Sequence, residues 1–183
     1  MKNKKMVVIL AVLLIAILAG ASVLYDRLRG EAPNQLAVKE PTEETWNMPD
    51  FKVVDAEGNT VKLSDFAGQP IVLNFWASWC GPCKEEMPEF EEVYAEYGDQ
   101  VQFLLVNMTD GSHETFNGAA AYIEEQGYTF PVYYDIWNGA TVAYSVSSIP
   151  ATYFIDMQGN GVAQAKGALD KETLLSGIEM ILP

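Results

Sequence analysis

Cysteine and histidine are scarce in this chain of 183 residues, which has two cysteines and one histidine. A closed structural zinc site needs about four cysteine or histidine ligands, and Cys80, Cys83 and the distant His113 do not supply them. The same count excludes a framework of several structural disulfides. We therefore predict no metal site, and the two cysteines are left for other chemistry.

Basic residues are scarce beyond the first 29 positions. Residues 30–183 carry six lysines, no arginine and 24 acidic residues, which is a net charge of −18. Such a surface repels phosphate backbones, so we predict no nucleic-acid partner. It also disfavours lying flat on an anionic bilayer. We interpret the acidity as that of a solvated surface.

A long apolar run stands near the start of the chain. After three lysines among the first five residues, the 19 residues 6–24 carry no charge. As a helix this run would be about 28 Å long, close to the roughly 30 Å hydrocarbon core of a bilayer. Lysines before the run and acidic protein after it predict a domain on the extracytoplasmic side. We therefore predict that residues 1–29 anchor the protein to the cell membrane in a single pass. The small residues at 19–21 leave a cleaved signal peptide, and hence a secreted protein, as the alternative.

The remaining residues divide into a linker and one domain. Residues 30–47 are polar without an apolar period, which predicts a linker. Residues 48–183 are enough for one domain with its own core. The predicted elements are a hairpin at 51–63, a strand at 71–76, helices at 82–97 and 112–126 with a strand at 101–106 between them, a strand at 130–134, a short helix at 138–144, a hairpin at 152–166 and a helix at 169–181. This order predicts an α/β domain.

The two cysteines lie between a predicted buried strand and a predicted helix, in the segment Trp79-Cys80-Gly81-Pro82-Cys83. A thiolate is the nucleophile of disulfide exchange, and a helix N-terminus stabilises it. Pro82 suits a first helical turn. We therefore predict that Cys80 is an exposed attacking thiol of low pKa and that the more buried Cys83 resolves the mixed disulfide. Trp79 is predicted to shield Cys80 and to contact the protein whose disulfide is exchanged, called the client below.

A static structural disulfide is the other interpretation of this pair. It would close a loop too small to stabilise the fold much. Exported proteins are where disulfides persist, and an adjacent pair there needs a partner that controls its redox state. We therefore favour the redox interpretation.

The segment 74–84, Asn-Phe-Trp-Ala-Ser-Trp-Cys-Gly-Pro-Cys-Lys, resembles the active site of the thioredoxin superfamily. Pro88 matches the proline that kinks the active-site helix, and residues 148–156 resemble the cis-proline loop with its following strand. The resemblance implies a thioredoxin fold, a central mixed sheet flanked by helices, with a redox-active Cys80–Cys83 disulfide and no bound cofactor. It further implies that the peptide bond between Ile149 and Pro150 is cis and faces the cysteines, and that the Ile149 backbone pairs with an extended client strand.

Three features narrow the resemblance to the membrane-anchored TlpA/ResA branch: the N-terminal hairpin, the anchor and the additional helix at 112–126. Members of that branch reduce specific exported proteins, above all apocytochrome c, and take electrons from a membrane protein of the CcdA/DsbD type. The resemblance therefore implies an extracytoplasmic protein-disulfide reductase with such a client and such a donor.

Two positions, Asn74 and Gly81, depart from the family pattern. Asn74 replaces the buried aspartate through which thioredoxin assists proton transfer, and Glu86 matches a glutamate of the ResA-like branch. We predict that Glu86 assists proton movement at Cys83 if it is buried and its pKa is raised. The alternative is that Glu86 belongs to an acidic run that complements the helix dipole. Gly81 stands where some ResA-like members have glutamate, which weakens the prediction of a cytochrome client.

Two other functions remain open. The layout with the hairpin first also resembles peroxiredoxins, which are thiol peroxidases, although the chain lacks their lone peroxidatic cysteine after a proline and a threonine. A client-binding module without redox turnover would use the groove near Pro150.

Overall fold

The computed structural model describes residues 37–38 and 48–183. Its strands are β1 (Ala37–Val38), β2 (Lys52–Val54), β3 (Thr60–Lys62), β4 (Ile71–Trp76), β5 (Gln102–Asn107), β6 (Val132–Tyr134), β7 (Ala151–Ile155) and β8 (Gly161–Lys166). Its α-helices are α1 (Gly81–Tyr97), α2 (Phe116–Gln126), α3 (Gly139–Ala143) and α4 (Lys171–Glu179), and a 3-10 turn covers Leu63–Phe66.

Within this part of the chain, the strands form one mixed sheet in the order β1-β8-β7-β4-β5-β6-β2-β3. Strands β4, β5 and β6 are parallel, whereas β7 is antiparallel to β4 and β8 is antiparallel to β7. The carboxyl ends of β4, β5 and β6 therefore meet the start of β7 at one end of the sheet, called here the active end. The α/β class, the N-terminal hairpin and the mixed sheet flanked by helices are as predicted.

Strand β4 organises the core, because all six of its residues are buried. Val72 and Trp76 face one cluster of apolar side chains, which includes Met87 and Phe90 of α1. Ile71, Leu73 and Phe75 face a second cluster, which includes side chains of α3 and the N-terminal hairpin. An unbroken apolar run is expected for a central parallel strand that is covered on both faces. The alternation places Asn74 on the same face of the sheet as α1.

The predicted start of the additional helix at 112 is wrong, because α2 begins at Phe116. The Asp110 carboxylate instead accepts hydrogen bonds from the backbone N–H groups of residues 112–114, at 2.7 to 3.0 Å. Asp and Ser favour such local turns over helix interiors. Thr115 then caps α2 by accepting the Gly118 N–H at 3.1 Å. The other predicted elements differ from the structure by at most two residues at either end.

The predicted linker is in part paired with the sheet. Ala37 lies opposite Gln164 and Val38 opposite Ala163, so these two positions add a short edge strand to β8. The remaining positions of the segment 30–47, and the predicted anchor at 1–29, lie outside the described residues. Across residues 37–38 and 48–183, no helix is long and apolar enough to cross a membrane.

Candidate active site

Cys80 and Cys83 form a disulfide at the active end of the sheet. Strand β4 ends at Trp76, and a turn closed by a hydrogen bond from the Cys80 N–H to the Ala77 carbonyl leads into α1. Cys80 is the N-cap of α1, and its Sγ accepts the backbone N–H of Cys83 at 3.2 Å. Pro82 stands in the first turn, where a missing N–H costs nothing. The helix therefore presents a free N–H to the sulfur that the chemistry requires as a thiolate.

The prediction that Cys80 is exposed is wrong for this disulfide form of the protein. Cys80 is 4% exposed and Cys83 is 0% exposed, so only the order of the two is as predicted. In this form the Cys80 sulfur is bonded to that of Cys83 at the first turn of α1. Around it Trp79, Gly81 and Pro82 are exposed, with Trp79 at 60%. These three residues therefore form the accessible surface beside the disulfide.

The peptide bond between Ile149 and Pro150 is cis, as the resemblance implied. Ala151, the next residue, lies opposite Phe75 in the sheet, so the loop stands at the active end beside the turn that carries Cys80. The Pro150 carbonyl accepts the Gly167 N–H at 2.9 Å. Among the described residues, no hydrogen bond uses the backbone N–H or carbonyl of the half-buried Ile149. These two groups are positioned to pair with an extended chain.

Glu86 is buried in α1 on the face that meets the sheet, with 2% of its surface exposed. One carboxylate oxygen accepts the Asn74 side-chain amide at 2.9 Å, and the other accepts the Leu169 backbone N–H at 2.9 Å. Burial raises the pKa of Glu86 to about 8, although the hydrogen bonds from Leu169 and Asn74 act in the opposite direction. Near neutral pH this group is therefore largely protonated and able to exchange a proton.

Glu86 lies three residues after Cys83, which places both side chains on one side of α1. Both conditions set for its role, burial and a raised pKa, are met. Asn74 cannot exchange a proton, but its amide also donates to the Thr152 hydroxyl at 3.0 Å. Asn74 therefore holds the Glu86 carboxyl group in place, and Glu86 supplies the ionisable group that position 74 lacks.

Thr152 and the Leu169 N–H are partners in this site that the sequence pattern did not predict. The available signal was Asn74 itself, since a polar residue inside a buried apolar strand requires hydrogen-bonding partners. The partner on the neighbouring strand follows from register, because Asn74 lies opposite Thr152. The register is not encoded in the local pattern of β4.

The chain is similar in sequence to known proteins along most of its length. The model of the AhpC/TSA family matches residues 46–163. The thiol-disulfide oxidoreductase ResA of Geobacillus kaustophilus is 32% identical over 183 residues, covering 100% of this chain and 99% of the relative. ResA of Geobacillus thermodenitrificans is 36% identical over 136 residues, covering 74% of this chain and 76% of the relative.

Solved structures show the same fold. The crystal structure of StoA from Bacillus subtilis superposes with a TM-score of 0.63 at 26% identity, covering 73% of this chain and 98% of that protein. The cysteine pair at the helix start is therefore found in the fold in which such relatives exchange disulfides. The chain belongs to the AhpC/TSA family and, within it, is a thiol-disulfide oxidoreductase of the ResA/StoA type.

Proposed function

We propose that this protein is an extracytoplasmic reductant of disulfides in exported client proteins. The observation that carries the proposal is the Cys80–Cys83 pair at the start of α1. Next to it lie a buried carboxyl group of raised pKa and the backbone of Ile149, which forms no hydrogen bond with any of the described residues. The predicted anchor supports the extracytoplasmic location.

The reduction proceeds in two exchanges. The Cys80 thiolate attacks one sulfur of the client disulfide, forms a mixed disulfide and releases the first client thiolate. The Cys83 thiol then loses its proton and attacks the Cys80 sulfur. This step forms the Cys80–Cys83 disulfide and releases the second client thiolate. Two electrons pass from the cysteine pair to the client.

The ionised fraction of Glu86, about a tenth of the molecules near pH 7 for a pKa of about 8, is proposed to accept the proton that leaves Cys83 and to return it on reduction. Its pKa near 8 lies close to the ordinary pKa of a thiol, about 8.5, so transfer between the two groups is nearly balanced in free energy. The hydrogen bonds from Asn74 and Leu169 hold the carboxyl group in place throughout.

The oxidised pair has to be reduced again before the next cycle. A membrane protein of the CcdA/DsbD type is the proposed donor, because an anchored domain outside the cytoplasm needs electrons delivered across the bilayer. The donor's dithiol would reduce the Cys80–Cys83 disulfide by the same exchange in the opposite direction.

The proposed client is an exported protein with an accessible disulfide, with apocytochrome c as the first candidate. A Cβ atom at Gly81 would meet nothing within 4 Å, so no tight packing requires glycine there. The absent side chain leaves the surface between the cysteines open. This openness favours a client contact through Trp79 and Pro82 over one that depends on a charge between the cysteines.

Trapping the mixed disulfide tests the proposal. Full-length Cys83→Ala, expressed in its own cells, cannot resolve the bond to Cys80, so the client stays attached and mass spectrometry identifies it. The variant with both cysteines replaced by alanine is the matched control, because it also lacks the attacking sulfur and cannot form the bond. Peptides of an apocytochrome would support that client, whereas the absence of any adduct specific to Cys80 would refute the proposal.

The redox potential tests the direction. A value near about −270 mV is that of a reductant, and a value near about −120 mV is that of an oxidant.

The two alternative functions have their own tests. Rapid consumption of hydrogen peroxide by the reduced protein would favour the thiol peroxidase, and full function of Cys80→Ser in cells would favour the binding module.

A further inference from the structure

A second buried carboxylate, Glu114, lies beneath the turn that precedes Cys80. It is 1% exposed. One of its oxygens accepts both the backbone N–H and the hydroxyl of Ser78, at 3.1 and 2.9 Å. The other accepts the side-chain amide of Asn107, at 2.9 Å. All three donors are neutral, and among residues 37–38 and 48–183 no cation forms a salt bridge with Glu114.

The loop between β5 and α2 is built to present this carboxylate inward. The Glu114 N–H donates to the Asp110 carboxylate at 3.0 Å, and its carbonyl accepts the Gly111 N–H at 2.9 Å. Hydrogen bonds from the backbone of Glu114 and Ser112 hold the pKa of Asp110 below its usual range, so Asp110 stays an acceptor. Hydrogen bonds within residues 110–114 therefore fix this turn, and the Glu114 side chain extends from it to Ser78.

Asn107 anchors the other side of the carboxylate. It is the last residue of β5 and is fully buried. Its side-chain oxygen accepts the Thr109 hydroxyl at 2.7 Å, which fixes the amide nitrogen toward Glu114. Glu114 thus connects the end of β5 to the turn after β4, on the neighbouring parallel strand.

We propose that Glu114 is a positioning residue for thiol–disulfide exchange, which holds the turn at Ser78 so that Cys80 stays at the N-terminus of α1 when the disulfide is open. Ser78 lies two residues before Cys80, inside the turn that the Cys80 N–H closes on Ala77. Reduction breaks the covalent bond between Cys80 and Cys83. Cys80 is then held near the Cys83 N–H by non-covalent contacts, and the hydrogen bond that closes this turn is one of them. The inference rests on the proposed redox function and assigns to the additional segment before α2 a role in it.

The donors explain why a carboxylate is required. The Ser78 N–H can only donate a hydrogen bond. The Asn107 amide cannot rotate to present its oxygen to residue 114 without breaking its hydrogen bond from the Thr109 hydroxyl. A glutamine at 114 has the same size but must place an NH₂ group against one of these donors. Glu114→Gln therefore leaves a buried donor unpaired, which loosens the turn without creating a cavity.

The rate at which iodoacetamide alkylates Cys80 in the reduced full-length protein, measured across pH, tests the proposal without any client. In Glu114→Gln we expect the pKa of the Cys80 thiol to rise and the alkylation rate at pH 7 to fall about three- to tenfold, because the thiolate loses the helix N-terminus. Ser78→Ala should shift the pKa in the same direction by less, because the backbone N–H still binds Glu114.

Asp135→Asn is the matched control. Asp135 is also 1% exposed, and its carboxylate also accepts three donors, the N–H groups of residues 139–141 at the start of α3. The control should lose stability and leave the alkylation profile of Cys80 unchanged. If the control shifts the profile equally, or if Glu114→Gln leaves the pKa unchanged or lowers it, the positioning role is refuted. A lowered pKa would mean that Glu114 acts through its charge alone.

Two further outcomes are distinguishable. If Glu114→Gln does not fold, Ser78→Ala tests the proposal by itself, because it keeps the Glu114 carboxylate and the hydrogen bond from the backbone N–H of residue 78. An unchanged pKa of the Cys80 thiol in Ser78→Ala then refutes the positioning role. If the wild-type thiol is no more reactive than a free cysteine, it is the proposed function that fails.

Discussion

Glu86 shows how a single residue acquires its chemistry from its surroundings. As sequence it is one of several acidic residues in the first half of a helix, and the alternative of dipole complementation applied equally to Glu85 and Glu89. The structure distinguishes it, because Glu86 is 2% exposed whereas Glu85 is exposed. Burial raises the pKa of Glu86 to about 8. The consequence is a measurable dependence of stability on pH.

We predict that Glu86→Gln flattens the fall of stability with pH. In the unfolded chain Glu86 ionises near pH 4.5, whereas in the folded protein it keeps its proton until about pH 8. Between these values the folded state binds more protons, so the free energy of unfolding falls as pH rises, by roughly 3–5 kcal/mol for this group. Urea unfolding of the oxidised protein at pH 5 and pH 8 measures the difference.

In Glu86→Gln that contribution is absent, so the loss of stability between pH 5 and pH 8 should be smaller than in the wild type. Glu85→Gln is the control on the same helix and should follow the wild-type profile. Parallel profiles for the wild type and Glu86→Gln would contradict a raised pKa.

At the scale of elements, the site depends on helices packed closely against the sheet. Asp170 caps the start of helix α4, because its side chain accepts the Thr173 N–H at 2.8 Å. The turn before it supplies the Leu169 N–H that binds Glu86. Further along α4, Gly177 lies directly over the Phe154 ring of β7. The close approach of α4 to the sheet therefore depends on a residue without a side chain.

We predict that Gly177→Ala destabilises the protein by about 1–2 kcal/mol. A Cβ atom at this position would clash with the fully buried Phe154 ring, and overpacking costs more than the roughly 1 kcal/mol that alanine gains as a helix former. Chemical denaturation measures the change. Gly81→Ala is the control, because a Cβ atom there meets nothing within 4 Å, and equal losses in the two variants would rule out the clash.

At the scale of the whole molecule, the short N-terminal segment is basic and the rest of the chain is strongly acidic. The first 29 residues carry five basic residues and one acidic residue, whereas residues 30–183 have a net charge of −18. An acidic domain attracts basic clients and repels acidic ones over distances set by the Debye length, about 10 Å at 0.1 M salt.

We predict that the reduced full-length protein reduces a lysine-rich disulfide peptide faster than a glutamate-rich peptide of the same length. Added salt should slow the first reaction and speed the second, since it screens attraction in one case and repulsion in the other. Stopped-flow measurement of both rates between about 0.01 and 0.5 M salt provides the comparison. A neutral peptide is the control, and identical salt dependence for all three peptides would contradict electrostatic steering.

Much of the domain follows from local pattern. The apolar run at 71–76, the helix that opens at the cysteine pair and the N-cap at Asp170 were predictable because each depends on neighbours within a few residues. The spacing of Cys80 and Cys83 indicated the chemistry for the same reason. The start of α2 was missed because the local turn around Asp110 competes with the helix for the same N–H groups.

The sequence by itself determined which residues exchange the disulfide, since two cysteines three positions apart leave no other pair. Tertiary structure alone decided that Cys80 is covered, that Glu86 is buried against Asn74 and Leu169, and that Glu114 lies beneath Ser78. These contacts join residues 12, 83 and 36 positions apart. Burial and pKa depend on how distant elements pack, and a local pattern carries no information about which side chains meet across the sheet.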